Sequence, residues 1–525
     1  MQSLLTIKEA SHWASMYLNK SVTTANISYL IQYGKVKKYI YNQSTAINKM
    51  ELINYYNSFN GQRESNWREK LGDDLNWALS FDNLAERDTT KHIHRIHPYK
   101  GKFIPQLVEY FLDNHTDNFK TESYFNKGDI ILDPFSGSGT TLVQANELGM
   151  HAIGIDISAF NSLIANIKIG KVDFQDLSLE INQITKELAK FISHNDNIKF
   201  ENELLAELNK FNKKYFPSPD YKIKIRKKEI IEREYAPGKE SEFSKIFDKL
   251  QKKYNLTIKQ DTSNNFLDKW YLEPVRNEID FTFELLKKVK NQSTRKIITI
   301  ILSRTIRSCR ATTHADLATL RDPITKTYYC RKHGKICKPL FSIFSWWQRY
   351  SKDSIKRLSE FDKLRTNTTQ ICLQGDARNI DIIDELSRRN PDLTKLVKMK
   401  KIKGIFSSPP YVGLINYHEQ HAYAYDLFGF DRNDKLEIGP LFKGQGVEAR
   451  NSYLEGIAQV LNNSKSYLQD NYDIFLVAND KYNLYPTIAE KSGMKIVKQY
   501  KRPVLNRTEK NKSAYSEIIF HLKEK

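Results

Sequence analysis

The chain has 525 residues, of which 40% are hydrophobic and 12% aromatic, enough for packed interiors in two or three folding units and too much for a mostly disordered chain. Its 82 Lys and Arg against 62 Asp and Glu leave a net charge of +20, which favours a polyanionic partner, either nucleic acid or an anionic membrane. The sequence has no apolar run near the roughly 18 residues of a membrane span and no charged-then-apolar signal segment at Met1, and four cysteines are few for a secreted disulfide scaffold. The expectation is a nucleic-acid-handling protein of the reducing cytoplasm.

Residues 1–60 have helical periodicity of their own. Thr6 and Glu9 have capping-box spacing at the head of a first helix. A second helix is expected over Ser21 to Tyr33, ended by Gly34, then a strand over Lys35 to Tyr41, and a third helix from Lys49 to Phe59 after Asn48. Helix, turn, helix and basic ribbon is the outline of a winged helix-turn-helix, and the segment resembles the small excisionase-like DNA-binding domains. Residues 61–90 are polar and read as a connector. From Lys91 the character changes: Ile104 to Leu112 has amphipathic helical spacing. Gly128-Asp129-Ile130-Ile131-Leu132-Asp133 then reads as a buried strand ending in an acid, followed by a glycine loop and a helix from Thr140. His151 to Asp156 is a second buried strand ending in an acid, with another helix over Ser158 to Ile167. That order opens a doubly wound α/β domain that binds a nucleotide-like cofactor.

The alternation stops over 171–370, which is helical, lysine-rich and aromatic. It resumes with strands expected at Thr369 to Asp376, Ile402 to Ser407, Tyr472 to Ala478, Lys495 to Lys498 and Ser516 to Leu522. The fold class expected is therefore α/β: a Rossmann-like sheet in two halves, 91–170 and 371–525, interrupted by a large, mainly helical insertion and preceded by the helix-turn-helix-like unit.

The sharpest string is Asp133-Pro134-Phe135-Ser136-Gly137-Ser138-Gly139-Thr140-Thr141. It lacks the third glycine of a dinucleotide fingerprint and the Gly-Lys-Ser/Thr end of a P-loop. Acids at its entrance and at the end of the next strand suit a cofactor with an amino group and a ribose. The string resembles motif I of the amino-methylating DNA methyltransferases, which bind S-adenosylmethionine. Ser407-Ser408-Pro409-Pro410-Tyr411, placed after a buried strand, resembles the catalytic motif of the same enzymes, and His97-Pro98-Tyr99-Lys100-Gly101-Lys102-Phe103 resembles the stretch just before motif I. The resemblance implies that Asp133, Phe135, Gly137 and Gly139 line the methionine end of the cofactor, with Phe103 or Lys102 nearby. It further implies that Asp156 holds the ribose hydroxyls and that Asp376 takes the adenine amine.

An exocyclic amine is a poor nucleophile because its lone pair is delocalised into the base. Acceptors for its N–H groups localise that lone pair, and the Ser408 hydroxyl and Pro409 carbonyl supply two. Consecutive prolines fix the backbone that carries them, and Tyr411 offers a face for a base flipped out of the duplex. Cytosine C5 methylation needs a cysteine nucleophile, usually after proline, and none of Cys309, Cys330, Cys337 and Cys372 follows one. In the family it resembles, serine at the first motif position goes mostly with cytosine and aspartate mostly with adenine, so the resemblance implies cytosine N4 ahead of adenine N6. The expected function is thus a site-specific, cytosine-N4 DNA methyltransferase acting on double-stranded DNA beside a separate restriction endonuclease. The alternatives are adenine-N6 methylation and an inactive DNA-binding regulator.

The insertion stands where the family places target recognition. It carries the basic run Lys222 to Lys228, and Arg304, Arg307, Arg310, Arg321 and Arg349 beside Trp346 and Trp347. Cys330, His333 and Cys337, with Cys309 or His314 as a fourth member, are of the right type for zinc, but without a clean pair of two-residue Cys spacings ordinary packing is expected and no metal is assigned.

Overall fold

A computed structural model of the chain describes residues 4–18, 22–32, 35–41, 44–58, 75–81, 84, 86–193, 197–260, 265–314, 320–504 and 515–525. Ser21, Tyr33, Gly34, Phe59 and most of the expected connector lie outside them. The chain divides into two compact units, one of residues 1–67, 182–288 and 305–348, the other of 68–181, 289–304 and 349–525. The expected insertion is therefore shared: 182–288 and 305–348 fall in the first unit, while 171–181, 289–304 and 349–370 group with the second.

In the first unit, strand β1 (Leu4–Thr6) leads into the helix Ile7–Tyr17 through a complete capping box. Thr6 Oγ1 accepts from the Glu9 amide at 3.3 Å and the Glu9 carboxylate accepts from the Thr6 amide at 2.8 Å. The helix Thr24–Gln32 follows, then β2 (Tyr39–Tyr41), β3 (Ser44–Asn48) and the helix Lys49–Tyr56, capped by Asn48. The three strands form an antiparallel sheet in the order β1-β3-β2 over Ala10, Ala14, Ile27, Leu30, Ile47 and Leu52. The expected strand at Lys35 begins only at Tyr39 because Glu51 takes up its approach, accepting from the Lys37 amide and the Tyr39 hydroxyl, each at 2.7 Å. Further along, the helices Asn197–Tyr215 and Glu232–Lys253 interlock through Phe200 with Phe247 and Phe211 with Phe243. A hairpin of β6 (Tyr328–Cys330) and β7 (Lys335–Cys337) also stands in this otherwise helical stretch. With three residues each, these strands are too short to show alternation in sequence.

The second unit is built on a seven-stranded sheet. Its strands are β4 (Ile130–Asp133), β5 (His151–Asp156), β8 (Gln370–Gln374), β9 (Ile402–Ser407), β10 (Leu468–Ala478), β11 (Met494–Pro503) and β12 (Ser516–Glu524). The order is β11-β12-β10-β9-β4-β5-β8, with β12 antiparallel to both neighbours and the other pairs parallel. Every residue of β4 is buried, as a parallel strand covered on both faces must be. Ile130, Leu132, Ile153, Ile155, Leu373 and Ile405 form part of one core. The chain runs outward from β4 through β5 to β8 and then returns to β9 on the other side of β4. The order thus reverses between β4 and β9, and the crevice at such a switch point is where open α/β sheets bind ligands.

Candidate active site

Asp133 ends β4 and Ser407 ends β9, side by side at the switch point. The Ser407 hydroxyl donates to Asp133 Oδ1 at 2.5 Å, and the Phe135 amide donates to the same oxygen at 3.2 Å. Both side chains are buried, and burial pushes the Asp133 carboxyl up to about 6 against the pull of those hydrogen bonds. Asp133 therefore ties the glycine loop to the Ser-Pro-Pro segment from behind. Ser407 is turned inward, and Ser408, the next residue, faces the cleft.

The glycine loop is held from several sides. Gly137 and Gly139 have φ of +50° and +74°, which favour glycine. A Cβ on Gly139 would stand 2.8 Å from that of Ala165, so this glycine lets the loop press against the helix Ala159–Ile169. A Cβ on Gly137 would meet the Tyr99 ring at 3.0–3.1 Å. Lys168, buried on the same helix, donates from Nζ to the Ser138 carbonyl at 2.5 Å. Burial and the neighbouring Lys102 hold its ammonium well below the usual lysine range. Sequence reading missed Lys168, since a lysine 30 residues from the loop carries no local signal.

Asp156 at the end of β5 accepts from the Gly137 amide at 2.8 Å, the Ser158 amide at 2.9 Å and Asn161 Nδ2 at 3.1 Å. Burial raises its carboxyl to about 6 despite these donors. Asp376 lies beyond β8, where Arg378 grips its carboxylate from Nε and Nη2 at 2.5–3.0 Å.

A cleft opens between these loops. Of the residues singled out in the sequence, Lys102, Phe103, Phe135, Gly137, Asp156, Asp376, Ser408 and Pro410 line it. Asp133 and Gly139 stand behind its wall, and Pro409 joins the two lining residues Ser408 and Pro410. Tyr411 also turns away: its hydroxyl donates to Glu517 at 2.9 Å and its ring packs on the core. Aromatic surface in the cleft comes from Tyr99, Phe103, Phe135 and Tyr417, with Tyr99 and Tyr417 stacked at 6.2 Å. Glu437, another lining residue that sequence reading missed, is buried against His418: its Oε1 accepts from the His418 amide at 2.8 Å and meets Nδ1 at 2.5 Å. The nearest sequence signal for this part of the wall is the aromatic and histidine content of 417–425, directly after the Pro-Pro segment.

The cleft suits a cofactor with hydroxyl and amino groups. Three acids, Asp156, Asp376 and Glu437, face it, a glycine stands where a side chain would intrude, and Ser138 Oγ and Asn161 Oδ1 on its wall are buried with no hydrogen-bond partner among the described residues.

A DNA methylase family model, N6_N4_Mtase, matches residues 6–167. The type II methyltransferase M.MjaII of Methanocaldococcus jannaschii is 47% identical over 99% of this chain and 97% of its own length. Shorter matches are to the type II methyltransferases M.MvaI of Kocuria varians, 30% identical over 25% of this chain and 27% of that protein, and M.BsoBI of Geobacillus stearothermophilus, 42% identical over 14% and 13%. Such a family and fold imply a methyl donor. The likeness to the archaeal enzyme runs end to end, through the switch-point loops and both units, and the chain belongs to the N6/N4 family of type II DNA methyltransferases of restriction–modification systems.

Proposed function

We propose that the protein transfers a methyl group from S-adenosylmethionine to the exocyclic N4 of a flipped-out cytosine in double-stranded DNA, protecting its site from a separate restriction endonuclease. The observation that carries this reading is that Ser408 and Pro410 line the same cleft as Gly137 and Asp156. Cofactor-binding and amine-polarising groups therefore share one space.

Bound S-adenosylmethionine supplies a methyl already electrophilic on its sulfonium. Asp156 would accept from the ribose hydroxyls. Phe103 and Phe135 would pack on the cofactor's apolar surface, and Asp376 would take the adenine amine while sharing its carboxylate with Arg378. The Ser408 hydroxyl and Pro409 carbonyl would accept from the N–H groups of the target amine, localising its lone pair for transfer. Serine is too weak a base to keep the released proton, which leaves to solvent. Asp133 is a positioning residue in this scheme, acting through Ser407. Stacking of the flipped base falls to Tyr99 or Tyr417 in place of Tyr411, whose hydroxyl is committed to Glu517. Target recognition belongs to residues of the expected insertion, 171–370, with the helix–helix–hairpin of residues 1–60 as a further DNA contact.

The test is single-base-resolution modification sequencing of DNA from cells expressing the protein. N4-methylcytosine at one recurring sequence is expected. N6-methyladenine at that sequence would replace the base assignment, and unmodified DNA would overturn the reading.

A further inference from the structure

The first unit gathers four side chains that the methyl-transfer site does not use. His314, Cys330, His333 and Cys337 each present one nitrogen or sulfur, and these four atoms lie within 4.8 Å of one another. Cys330 closes β6 and Cys337 closes β7, so the hairpin brings them together, and both are buried and free of disulfide. His333 sits in the turn, where the amides of His333 and Gly334 donate back to the Cys330 carbonyl at 3.1 and 2.7 Å. Gly334, at φ +63°, makes that turn possible. The fourth member comes from outside the hairpin: the ring of His314 stands 4.3 Å from that of His333. Cys309, the other candidate by sequence, is buried elsewhere with Glu278 as a charged neighbour.

We propose that His314, Cys330, His333 and Cys337 together bind one structural zinc ion that staples the β6–β7 hairpin. Two thiolates and two neutral imidazoles are a tetrahedral zinc donor set, and with all four positions filled by protein the site is closed, as structural sites are. Zinc–sulfur and zinc–nitrogen bonds of about 2.3 and 2.0–2.1 Å give a tetrahedron with edges of roughly 3.3–3.8 Å. The four atoms thus need to close by only about an ångström. Binding releases the two thiol protons, so the ion's two positive charges are balanced and the filled site is neutral where it is buried. His314 also has the outer partner such a ligand needs: its Nδ1 lies 2.8 Å from the Tyr328 hydroxyl, which orients the ring and leaves Nε2 for the metal.

The hairpin gives a physical reason for a staple. Its strands have three residues each, and its own apolar cluster is Tyr328, Cys330 and Cys337 with Ile324 against them. An isolated two-stranded hairpin of that size is marginal in water. The turn also carries Lys332, whose carbonyl accepts from Lys222 Nζ at 2.5 Å. Lys222 is the first lysine of the basic run, so a metal that fixes the hairpin fixes where that run starts.

The experiment is elemental analysis of the full chain, expressed without a metal-affinity tag, together with chromogenic detection of zinc released when a mercurial blocks the thiols. About one zinc per chain is expected, released in step with thiol modification and lost in the C330S/C337S double variant. Wild-type protein with less than about a tenth of an equivalent of zinc after expression in zinc-supplemented medium would overturn the proposal. So would a Cys330–Cys337 disulfide in the non-reduced mass spectrum, or an unchanged zinc content in the double variant. Should that variant fail to fold, the wild-type metal content and its coupling to thiol modification still decide.

Discussion

At the carboxyl edge of the sheet, loops are held by bonds between residues far apart in the chain: Asp133 with Ser407 across 274 positions, the Gly375 amide with the Asp156 carbonyl, and Lys168 with Ser138. The β6–β7 hairpin is instead a local object, with a cluster of three buried side chains and ligand-type residues in its turn and strand ends. The difference shows two ways of making a short loop rigid. A wide parallel sheet supplies fixed strand ends to which a loop can be tied, which leaves neighbouring side chains such as Ser408 free to face a ligand. A small hairpin has no such frame, and the same chemical groups that would face a ligand are turned inward to hold it.

The largest expected effect comes from breaking the sheet-edge loop where it is tightest. Gly139→Asp meets Ala165 and must hold a left-handed backbone, which alone costs a non-glycine residue about 1–3 kcal/mol. Calorimetry should find S-adenosylmethionine binding abolished, and unchanged affinity in a folded variant would remove the glycine loop from the cofactor site. Next come the adjacent serines. Ser408→Ala should lower kcat by about a hundredfold or more while cofactor affinity holds, the scale seen when one transition-state hydrogen bond is removed. Ser407→Ala should instead destabilise the fold by about 1–3 kcal/mol, because it leaves a buried carboxylate short of a donor. If the two variants behave alike, the inward and outward assignment of these serines fails.

A finer test uses pH. The folded state raises the Asp133 carboxyl from 3.8 to about 6, so this group binds its proton more tightly folded than unfolded. Its contribution to stability is full below about pH 4 and is lost as pH rises through 6. Asp133→Asn keeps an Oδ1 acceptor for Ser407 and does not titrate. Urea unfolding at pH 4.5 and 7.5 should show a smaller loss of stability in the variant than in the parent, and parallel losses would mean that Asp133 is not buried from solvent. The smallest effect concerns the basic run of the first unit. Lys224, Lys227 and Lys228 are exposed, whereas Lys222 is tied to Lys332. Neutralising the exposed three should flatten the salt dependence of DNA affinity by up to about one log unit of slope for each phosphate no longer neutralised, with the methylated sequence unchanged. An unaltered slope in a salt titration would assign the run to a solvated surface.

Much of the sheet was legible in the sequence because buried parallel strands are continuous apolar runs: Ile130 to Asp133 and His151 to Asp156 show both the strand and the acid that ends it. The glycine loop and the Ser-Pro-Pro segment were legible for the same reason, since local backbone demands fix their residue types. What stayed hidden depends on which strands become neighbours. Nothing near Tyr411 says that its hydroxyl will find Glu517, 106 residues on. Nothing near Asp133 says that Ser407 will draw it behind the cleft wall. Lys168 and Glu437 were invisible on the same grounds, and His314 was only one of two candidates until the fold brought it beside the hairpin.

The two glycines of the loop, alike in sequence, set different limits on redesign. Gly139 is pressed against main-chain and side-chain atoms of Ala165, so nothing can be added there without moving a helix. Gly137 is limited by the ring of Tyr99, a side chain that also lines the cleft. Room for a bulkier transferable group on a synthetic cofactor analogue is therefore to be sought by trimming Tyr99, which enlarges the pocket while the backbone that positions Asp156 and Ser408 stays where it is.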